Sequence, residues 1–193
     1  MAKADLNELA SVERDRQQQL ACRVFCCAST GCNSSGCPAV MDAIARVVDS
    51  HGIADRVEIV PTGCMGLCSL GPLVRVESAG HEPVLYKEVD PLIARLIVAE
   101  HVARGVEQGD AFERPAFLDE YTLSLELPFF ARQERVVLAN NGEIDPEKIE
   151  HYLARGGYRA ARKALTEMSD GDVIDEVLRS GLRGRGGAGY PTG

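Results

Sequence analysis

Tryptophan is absent from the 193 residues of this chain, and aromatic residues make up only 5% of it. Proteins that bind single-stranded nucleic acid stack bases on aromatic side chains, so this scarcity argues against such a surface. Positive charge is also limited, because the chain has 21 Lys and Arg but 29 Asp and Glu, which gives a net charge of -8. Binding to a phosphate backbone needs clustered basic residues. The sequence therefore predicts no nucleic-acid partner.

Long apolar runs are missing as well, and none approaches the roughly 18 residues that a membrane-spanning helix needs. The first residues, Met1–Glu8, are polar and lack the apolar core of a secretory signal. We therefore expect a cytoplasmic protein with no segment inserted into a membrane. In that reducing compartment the seven cysteines are not expected to form disulfides, and their odd number agrees. Metal binding is the leading explanation for them.

Four of the cysteines form two close pairs, Cys27-x4-Cys32 and Cys64-x3-Cys68, in loops that contain glycines. Four thiolates make a soft, anionic donor set, which suits zinc or an iron–sulfur cluster better than a hard cation. Structural zinc sites commonly space cysteines two residues apart, and redox-active dithiols normally show Cys-x-x-Cys, which is absent here. The spacing favours a 2Fe-2S cluster, with zinc and inert or redox-active thiols as the alternatives.

The remaining cysteines are weaker candidates. Cys26 is a rival to Cys27, but neighbouring side chains of a strand point to opposite faces, so only one can reach the site. Cys22 and Cys37 have no paired spacing, and burial as ordinary hydrophobic residues explains them. Backbone N–H groups, such as those of Cys32–Gly36, are expected to hydrogen-bond the sulfurs and raise the cluster's potential.

Hydrophobic periodicity predicts an N-terminal helix within residues 1–20 and a β-α-β-β-β-α order across residues 21–105. The predicted strands are Arg23–Cys26, Val57–Val60, Leu73–Val76 and Val84–Tyr86. Pro38 and the pair Asp90-Pro91 mark the starts of two helices. Because 45% of the residues are hydrophobic, a folded core is expected. We predict a small mixed sheet covered by helices, a thioredoxin-like α/β arrangement.

Periodicity fades in residues 106–134, which are predicted to be a linker or an extended arm. Residues 135–193 are predicted to open a second, α+β domain. Its predicted elements are a strand at Arg135–Leu138, a turn at Asn141-Gly142, an N-cap at Asp145, helices around Glu147–Arg155, Tyr158–Glu167 and Asp172–Arg179, and Ser169 as a cap of the last helix.

The C-terminal stretch Gly181–Gly193 contains Gly184-x-Gly186-x-x-Gly189, a spacing known from dinucleotide-binding turns. The match alone is weak, and a glycine-rich tail would produce it too. A Rossmann turn needs a preceding strand, whereas Val173–Leu178 has a helical pattern. A P-loop is excluded, because no Gly-Lys-Ser/Thr follows. These residues alone leave the role of the stretch open.

The two cysteine spacings on a β-α-β-β-β-α frame resemble the thioredoxin-like 2Fe-2S ferredoxins. By that resemblance the cluster ligands are Cys27, Cys32, Cys64 and Cys68, and the domain transfers single electrons.

Residues 135–193, above all Gly-Leu-Arg-Gly-Arg-Gly-Gly-Ala-Gly-Tyr-Pro-Thr-Gly, closely resemble the start of the flavin- and NADH-binding subunit of complex I and of NAD-reducing hydrogenases. In that family this loop packs beside FMN and the nicotinamide nucleotide. Carried over, the resemblance implicates Gly184, Arg185, Gly186, Gly187, Ala188 and Gly189. It also implies NAD(H) and the other subunits of a hydrogenase, formate dehydrogenase or complex I-like assembly as partners.

The flavin subunits of that family continue well beyond the residues matched here. We therefore expect a fragment or a shortened homologue that binds FMN and NAD(H) only if the remaining part is present. The resemblance implies the diaphorase module of an NAD(P)H oxidoreductase, in which the 2Fe-2S cluster exchanges electrons with FMN, and it assigns no catalytic residue to this chain. The alternative is a non-catalytic thioredoxin-like module that docks other subunits.

Overall fold

A five-stranded sheet with the strand order β2-β1-β3-β4-β5 forms the centre of the computed structural model, which describes residues 5–109 and 111–193. The strands are β1 (Cys22–Cys27), β2 (Val57–Thr62), β3 (Val74–Ser78), β4 (Val84–Tyr86) and β5 (Thr122–Leu123). Strands β1 and β2 are parallel, and the other neighbouring pairs are antiparallel. A parallel pair needs a crossover connection, which the helices between β1 and β2 supply.

The helices are α1 (Leu6–Gln19), α2 (Thr30–Ser34), α3 (Cys37–Ser50), α4 (Pro91–Leu96), α5 (Arg104–Glu107), α6 (Pro128–Ala131), α7 (Ile149–Ala154), α8 (Arg159–Glu167) and α9 (Asp170–Ser180). A π-helical segment, Ile97–Ala103, joins α4 to α5, and 3-10 turns lie at Cys68–Leu70 and Ala116–Tyr121. The predicted β-α-β-β-β-α order is thus observed. Residues 1–4, part of the polar N-terminus discussed above, lie outside the described residues.

Local signals place the helix starts where the sequence predicts them. Pro38 occupies the first turn of α3, where its missing N–H is not needed. The Asp90 carboxylate caps α4 by accepting two backbone hydrogen bonds of 2.8 Å. The Ser169 hydroxyl caps α9 by accepting from the Asp172 N–H, and the Asp172 carboxylate accepts from the Ser169 N–H, which completes a capping box.

The two faces of the sheet are covered by different helices. Cys26 shares its face with Val74 and Tyr86, its neighbours in the strand register. The Tyr86 hydroxyl lies 2.8 Å from Nδ1 of His101 in the π-helical segment. Helix α3 packs on α4 and on the same segment. These helices therefore cover the face to which Cys26 points.

The opposite face carries Arg23 and Cys27 and is covered by α1 and α7. Glu58, the register partner of Arg23, contacts Arg16 of α1 at 2.6 Å and Nε2 of His151 of α7 at 3.3 Å. Residues predicted to belong to a second domain thus pack directly on the first sheet. Helices α8 and α9 bury none of their residues.

Several described residues within 106–134, a stretch predicted to be a linker or an extended arm, pack against the core in the structure. Strand β5 pairs with β4, and Phe112 and Leu118 are buried. The ring of Phe112 lies so close to Gly105 that a Cβ there would be 2.4 Å from it. These apolar residues are irregularly spaced around Pro115, so they form no periodic pattern in the sequence.

Two local predictions in the C-terminal part are wrong. The stretch Arg135–Leu138 forms turns and not a strand, and its two valines are 77% and 82% exposed. β-Branched residues favour a strand only where a neighbouring strand is available for pairing. Asp145 does not cap a helix, because its carboxylate accepts from the Glu147 N–H at 2.9 Å in a turn, and α7 begins only at Ile149.

The helices are too short or too polar for a bilayer span. In the ranges 5–109 and 111–193, no helix is both long and apolar enough to cross a membrane.

Candidate metal centre

Four cysteines lie at one end of the sheet, on two adjacent loops, and we refer to Cys27, Cys32, Cys64 and Cys68 as the cysteine cage. Cys27 ends β1, and Cys32 lies in α2. Cys64 follows β2, and Cys68 begins a 3-10 turn. Because β1 and β2 are parallel and Cys27 is the register partner of Thr62, both loops leave the sheet at the same edge. The strand arrangement therefore brings the two pairs together.

The sulfur positions within each pair suit a metal ligand set. The Sγ atoms of Cys64 and Cys68 are 3.7 Å apart. Two thiolates on one tetrahedral metal, with metal–sulfur bonds of about 2.3 Å, are separated by about 3.8 Å. The side chains of Cys27 and Cys32 are also in hydrogen-bonding contact with each other. The Cys64–Cys68 pair therefore has the sulfur separation of two ligands on one metal ion, and Cys27 and Cys32 contact each other.

Glycines allow the two loops to touch. A Cβ atom on Gly71 would lie 2.8 Å from the Sγ of Cys32, which no side chain permits. A Cβ atom on Gly31 would lie 3.3 Å from the Sγ of Cys68, which is tighter than most real contacts. A glycine of each loop therefore lies against a cysteine of the other loop. This close approach unites the two pairs in one cage.

Two thiols of the cage, those of Cys32 and Cys68, have raised pKa values and therefore resist ionisation. Burial raises the pKa of Cys32 to about 12, and its contact with Cys27 acts in the same direction. The neighbouring Cys64 thiol raises the pKa of Cys68. Several thiolates side by side repel one another unless positive charge balances them. A thiophilic metal supplies that charge as it displaces the protons, so the donor set fits a metal or an iron–sulfur core.

Backbone donors reach the sulfurs from positions that differ from the predicted ones. The Gly66 N–H donates to the Sγ of Cys64 at 3.3 Å, and a backbone hydrogen bond from Leu73 acts on Cys32. The stretch Cys32–Gly36, predicted to supply such donors, directs most of its N–H groups to carbonyl oxygens of α2 and its flanks. Helix formation in this stretch is the reason for the difference.

The other three cysteines are buried. Cys26 points to the opposite face of β1 from Cys27, in agreement with strand alternation, and burial raises its pKa. Cys22 lies at the far end of the same strand. Cys37 begins α3, and burial, followed by the charge of Cys27, raises its pKa to about 11. Cys37 therefore lies near the cage, a position that its spacing in the sequence did not indicate.

A segment far along the chain packs on the second cysteine loop. Arg135 donates hydrogen bonds to the carbonyl oxygens of Met65 at 3.0 Å and Asn141 at 3.4 Å. The Phe129 ring would lie 3.3 Å from a Cβ on Gly66, whose φ of 104° favours glycine. No local pattern in the sequence predicts these contacts, because the residues that form them lie far apart along the chain.

Substitution of Arg135 tests whether this segment supports the loop. Arg135→Ala is expected to lower the free energy of unfolding by about 1–2 kcal/mol, because a hydrogen bond from a charged group to Met65 is lost. Urea unfolding of the metal-free protein measures this change. Arg132→Ala removes an exposed arginine from the same segment and serves as the matched control. Equal urea midpoints for the two variants would contradict the supporting role.

A second group of titratable residues lies beneath α1, and the sequence did not single it out. Oxygen atoms of Glu13 and Glu58 and a ring nitrogen of His151 lie within 4.8 Å of one another, close enough to hold a metal ion. However, Arg16 contacts both carboxylates at 2.6–2.7 Å, and Arg23 contacts Glu58 at 3.0 Å. These guanidinium groups already balance the carboxylates. The group is therefore an ion-pair network that joins α1 and α7 to the sheet.

The residues that the resemblance implicates in FMN and nucleotide binding form a largely exposed loop after α9. They are Gly184, Arg185, Gly186, Gly187, Ala188 and Gly189. The Gly184 N–H donates to the Tyr190 carbonyl at 2.8 Å and closes the loop at its base. Gly187 and Gly189 have φ values of 107° and 61°, which favour glycine. A helix precedes the loop, so it is not a Rossmann turn, as predicted.

Several curated proteins match part of the chain, and no family model matches it. A stretch of 62 residues, 32% of the chain, is 55% identical to the NADP-reducing hydrogenase subunit HndC of Solidesulfovibrio fructosivorans. A stretch of 60 residues, 31% of the chain, is 50% identical to a subunit of the NADH-quinone oxidoreductase of Rhizobium meliloti. The chain spans 12% and 14% of the lengths of these two relatives.

Solved structures of a thioredoxin-like [2Fe-2S] ferredoxin from Aquifex aeolicus are also similar to this chain. One has a TM-score of 0.43 and 24% identity, and the match covers 54% of this chain and 98% of that one. Another has a TM-score of 0.42 and 25% identity, with coverage of 54% and 92%.

Proposed function

We propose that residues 21–105 form an electron-transfer domain in which the cysteine cage holds a 2Fe-2S cluster. The observation that carries this proposal is the convergence of two cysteine pairs at one sheet edge, with Gly31 and Gly71 lying against sulfur. Soft thiolate donors select iron–sulfur clusters or zinc over hard cations. The x4 and x3 spacings, in place of the x2 spacing common in zinc sites, favour the cluster.

A 2Fe-2S cluster in the cage would supply reversible one-electron transfer. The protein's part is to hold the thiolates and to stabilise their negative charge. The backbone N–H groups of Gly66 and Leu73 form hydrogen bonds to sulfur. These hydrogen bonds favour the reduced cluster, which carries more negative charge. Cys27 and Cys32 are buried, whereas Cys68 is exposed. Electrons are therefore expected to enter and leave on the side of Cys68.

We further propose that electrons pass between this domain and FMN and NAD(P)H in a hydrogenase- or complex I-like assembly. Support comes from the local identity to proteins named as subunits of an NADP-reducing hydrogenase and of NADH-quinone oxidoreductase. The loop Gly184–Gly189 offers bare backbone for close approach of a cofactor, and Arg185 offers a guanidinium for phosphate. Residues 135–193 would be the start of the flavin-binding part, and FMN and NAD(H) would bind only with the rest of that part.

Anaerobic reconstitution with ferrous iron and sulfide tests the cluster directly. We expect about two irons and two sulfides per chain, visible charge-transfer absorption, and an EPR signal that appears on reduction. A parallel sample receives zinc alone and is compared for stoichiometry and stability. A chain that takes up zinc tightly but stays colourless with iron and sulfide would contradict the proposal.

The second candidate function is a non-catalytic module that docks other subunits. Exposed apolar side chains on α8 and α9 favour it, since Leu165 is 85%, Ile174 56% and Leu178 54% exposed. This function predicts that serine substitutions in the cysteine cage leave subunit binding unchanged and that no stoichiometric metal is present. The electron-transfer function predicts a coloured protein whose colour depends on the cage.

A further inference from the structure

Thr62, the last residue of β2, carries a buried hydroxyl with no hydrogen-bond partner. Its Oγ1 atom is inaccessible to solvent and finds no donor or acceptor in the part of the chain that the structure describes. The residue as a whole is 1% exposed. Most buried side-chain polar groups in native proteins are hydrogen-bonded, so an isolated hydroxyl indicates a missing partner.

The strand register places this hydroxyl beside the cysteine cage. Thr62 is the register partner of Cys27 in the parallel β1–β2 pair, so the two side chains point to the same face of the sheet. The Thr62 carbonyl accepts a hydrogen bond of 2.9 Å from the Ala28 N–H, and its chain continues through Gly63 into Cys64. The Thr62 side chain therefore lies next to that of Cys27, at the point where the second cysteine loop begins.

Among the described residues, the other buried side-chain atoms without a hydrogen-bond partner differ from the hydroxyl of Thr62. They are Nη2 of Arg23 and Nε of Arg75. Both belong to guanidinium groups that form ion pairs through another nitrogen, with Glu58 at 3.0 Å and Glu143 at 2.9 Å. Thr62 has a single polar side-chain atom, and that atom is wholly unsatisfied.

We propose that Thr62 is a positioning residue for the cluster and that its hydroxyl donates a hydrogen bond to a sulfur atom of the loaded cage. This inference rests on the proposed function. Sulfur is a weak acceptor when protonated and a stronger one when it carries negative charge. A donor to sulfur stabilises the reduced cluster more than the oxidised one and raises the reduction potential. The hydroxyl thus gains its partner only when the cage is loaded.

The test compares Thr62→Val, which keeps the branched shape, with Thr62→Ser, which keeps the hydroxyl. In the metal-free protein, Thr62→Val is expected to unfold at the same urea concentration as the wild type or a higher one, since it loses no hydrogen bond. In the reconstituted protein, Thr62→Val is expected to show a more negative potential and an altered EPR signal. It should also lose iron to a chelator roughly two- to tenfold faster. Thr62→Ser should retain the wild-type potential.

The outcomes separate this inference from the proposed function. A wild-type chain that forms no cluster overturns both. A wild-type cluster whose potential, EPR signal and iron loss are unchanged by Thr62→Val overturns the role of Thr62 alone. Destabilisation of the metal-free protein by Thr62→Val would show that the hydroxyl has a partner there and also overturns it. Should Thr62→Val not fold, Thr62→Ala also lacks the hydroxyl and must shift the potential in the same direction.

Discussion

Cys64→Ser is expected to abolish formation of the 2Fe-2S cluster while leaving the fold intact. Cys64 is only partly buried, so the loss of its sulfur leaves no cavity in the core. A serine hydroxyl stays protonated at neutral pH and is a harder ligand than thiolate, so it does not replace the sulfur at a soft site. Loss of an outer-shell partner costs about 10–100-fold in metal affinity, and loss of a direct ligand should exceed that. Iron content, visible absorption and EPR after reconstitution measure the effect.

Cys22→Ala provides the matched control for this substitution. Cys22 and Cys27 are the two ends of β1, about 16 Å apart at roughly 3.3 Å per residue. This variant should therefore bind the cluster as the wild type does, although it loses some stability. Cys26→Ala and Cys27→Ser decide between the rival ligands in β1. Loss of the cluster in Cys26→Ala but not in Cys27→Ser would show that the assignment of Cys27 is wrong.

The parts of the molecule that the sequence predicts correctly depend on short-range signals. The four strands from β1 to β4 are short, largely apolar runs, with Gly63 directly after β2 and Pro83 directly before β4. The starts of α3, α4 and α9 follow from Pro38, Asp90 and Ser169. The position of the two cysteine loops follows from them as well. Once β1 and β2 are parallel neighbours, the segments after both strands must meet at one edge of the sheet.

Long-range contacts explain why the rest could not be predicted. Arg135 and Met65 are 70 residues apart, and His151 and Glu58 are 93 residues apart. Each contact depends on the final path of the chain across the sheet, which no local pattern specifies. The same reason accounts for the wrong strand at Arg135–Leu138. Its β-branched residues suit a strand, but the segment instead bends towards the cysteine loop.

Glu58→Gln is expected to destabilise the protein strongly, because Glu58 is the shared partner of the ion-pair network beneath α1. Its carboxylate contacts Arg16 at 2.6 Å and Arg23 at 3.0 Å, and Lys148 lies at 3.4 Å. Its side chain is only 7% exposed, and that of Arg23 only 16%. Removal of the carboxylate charge therefore leaves partly buried cations that repel one another.

Magnitudes from other proteins set the expected size of this effect. Breaking a buried ion pair costs about 3–5 kcal/mol, but Arg16 is 43% exposed, and water screens part of its charge. We therefore expect a loss of about 2–3 kcal/mol in the free energy of unfolding. For a chain of this size, that loss corresponds to a melting temperature lower by about 4–12 °C. Glu176→Gln, which removes an exposed pair with Arg179, is the control and should cost no more than about 0.5 kcal/mol.

The pH dependence of the stability lost in Glu58→Gln tests whether the charge of Glu58 is the cause of that loss. Burial alone would raise the pKa of Glu58, but hydrogen bonds from His151 and Arg16 and the charge of Arg23 outweigh burial and hold it far below its ordinary value. The stabilisation is therefore fully present above the unfolded pKa of about 4.3 and is lost as pH falls towards the folded pKa. The difference in the free energy of unfolding between the wild type and Glu58→Gln, measured by urea unfolding, should be largest near neutral pH. It should decrease steadily below about pH 4. If this difference in free energy stays constant as the pH is lowered far below 4, the substitution acts through packing and not through charge.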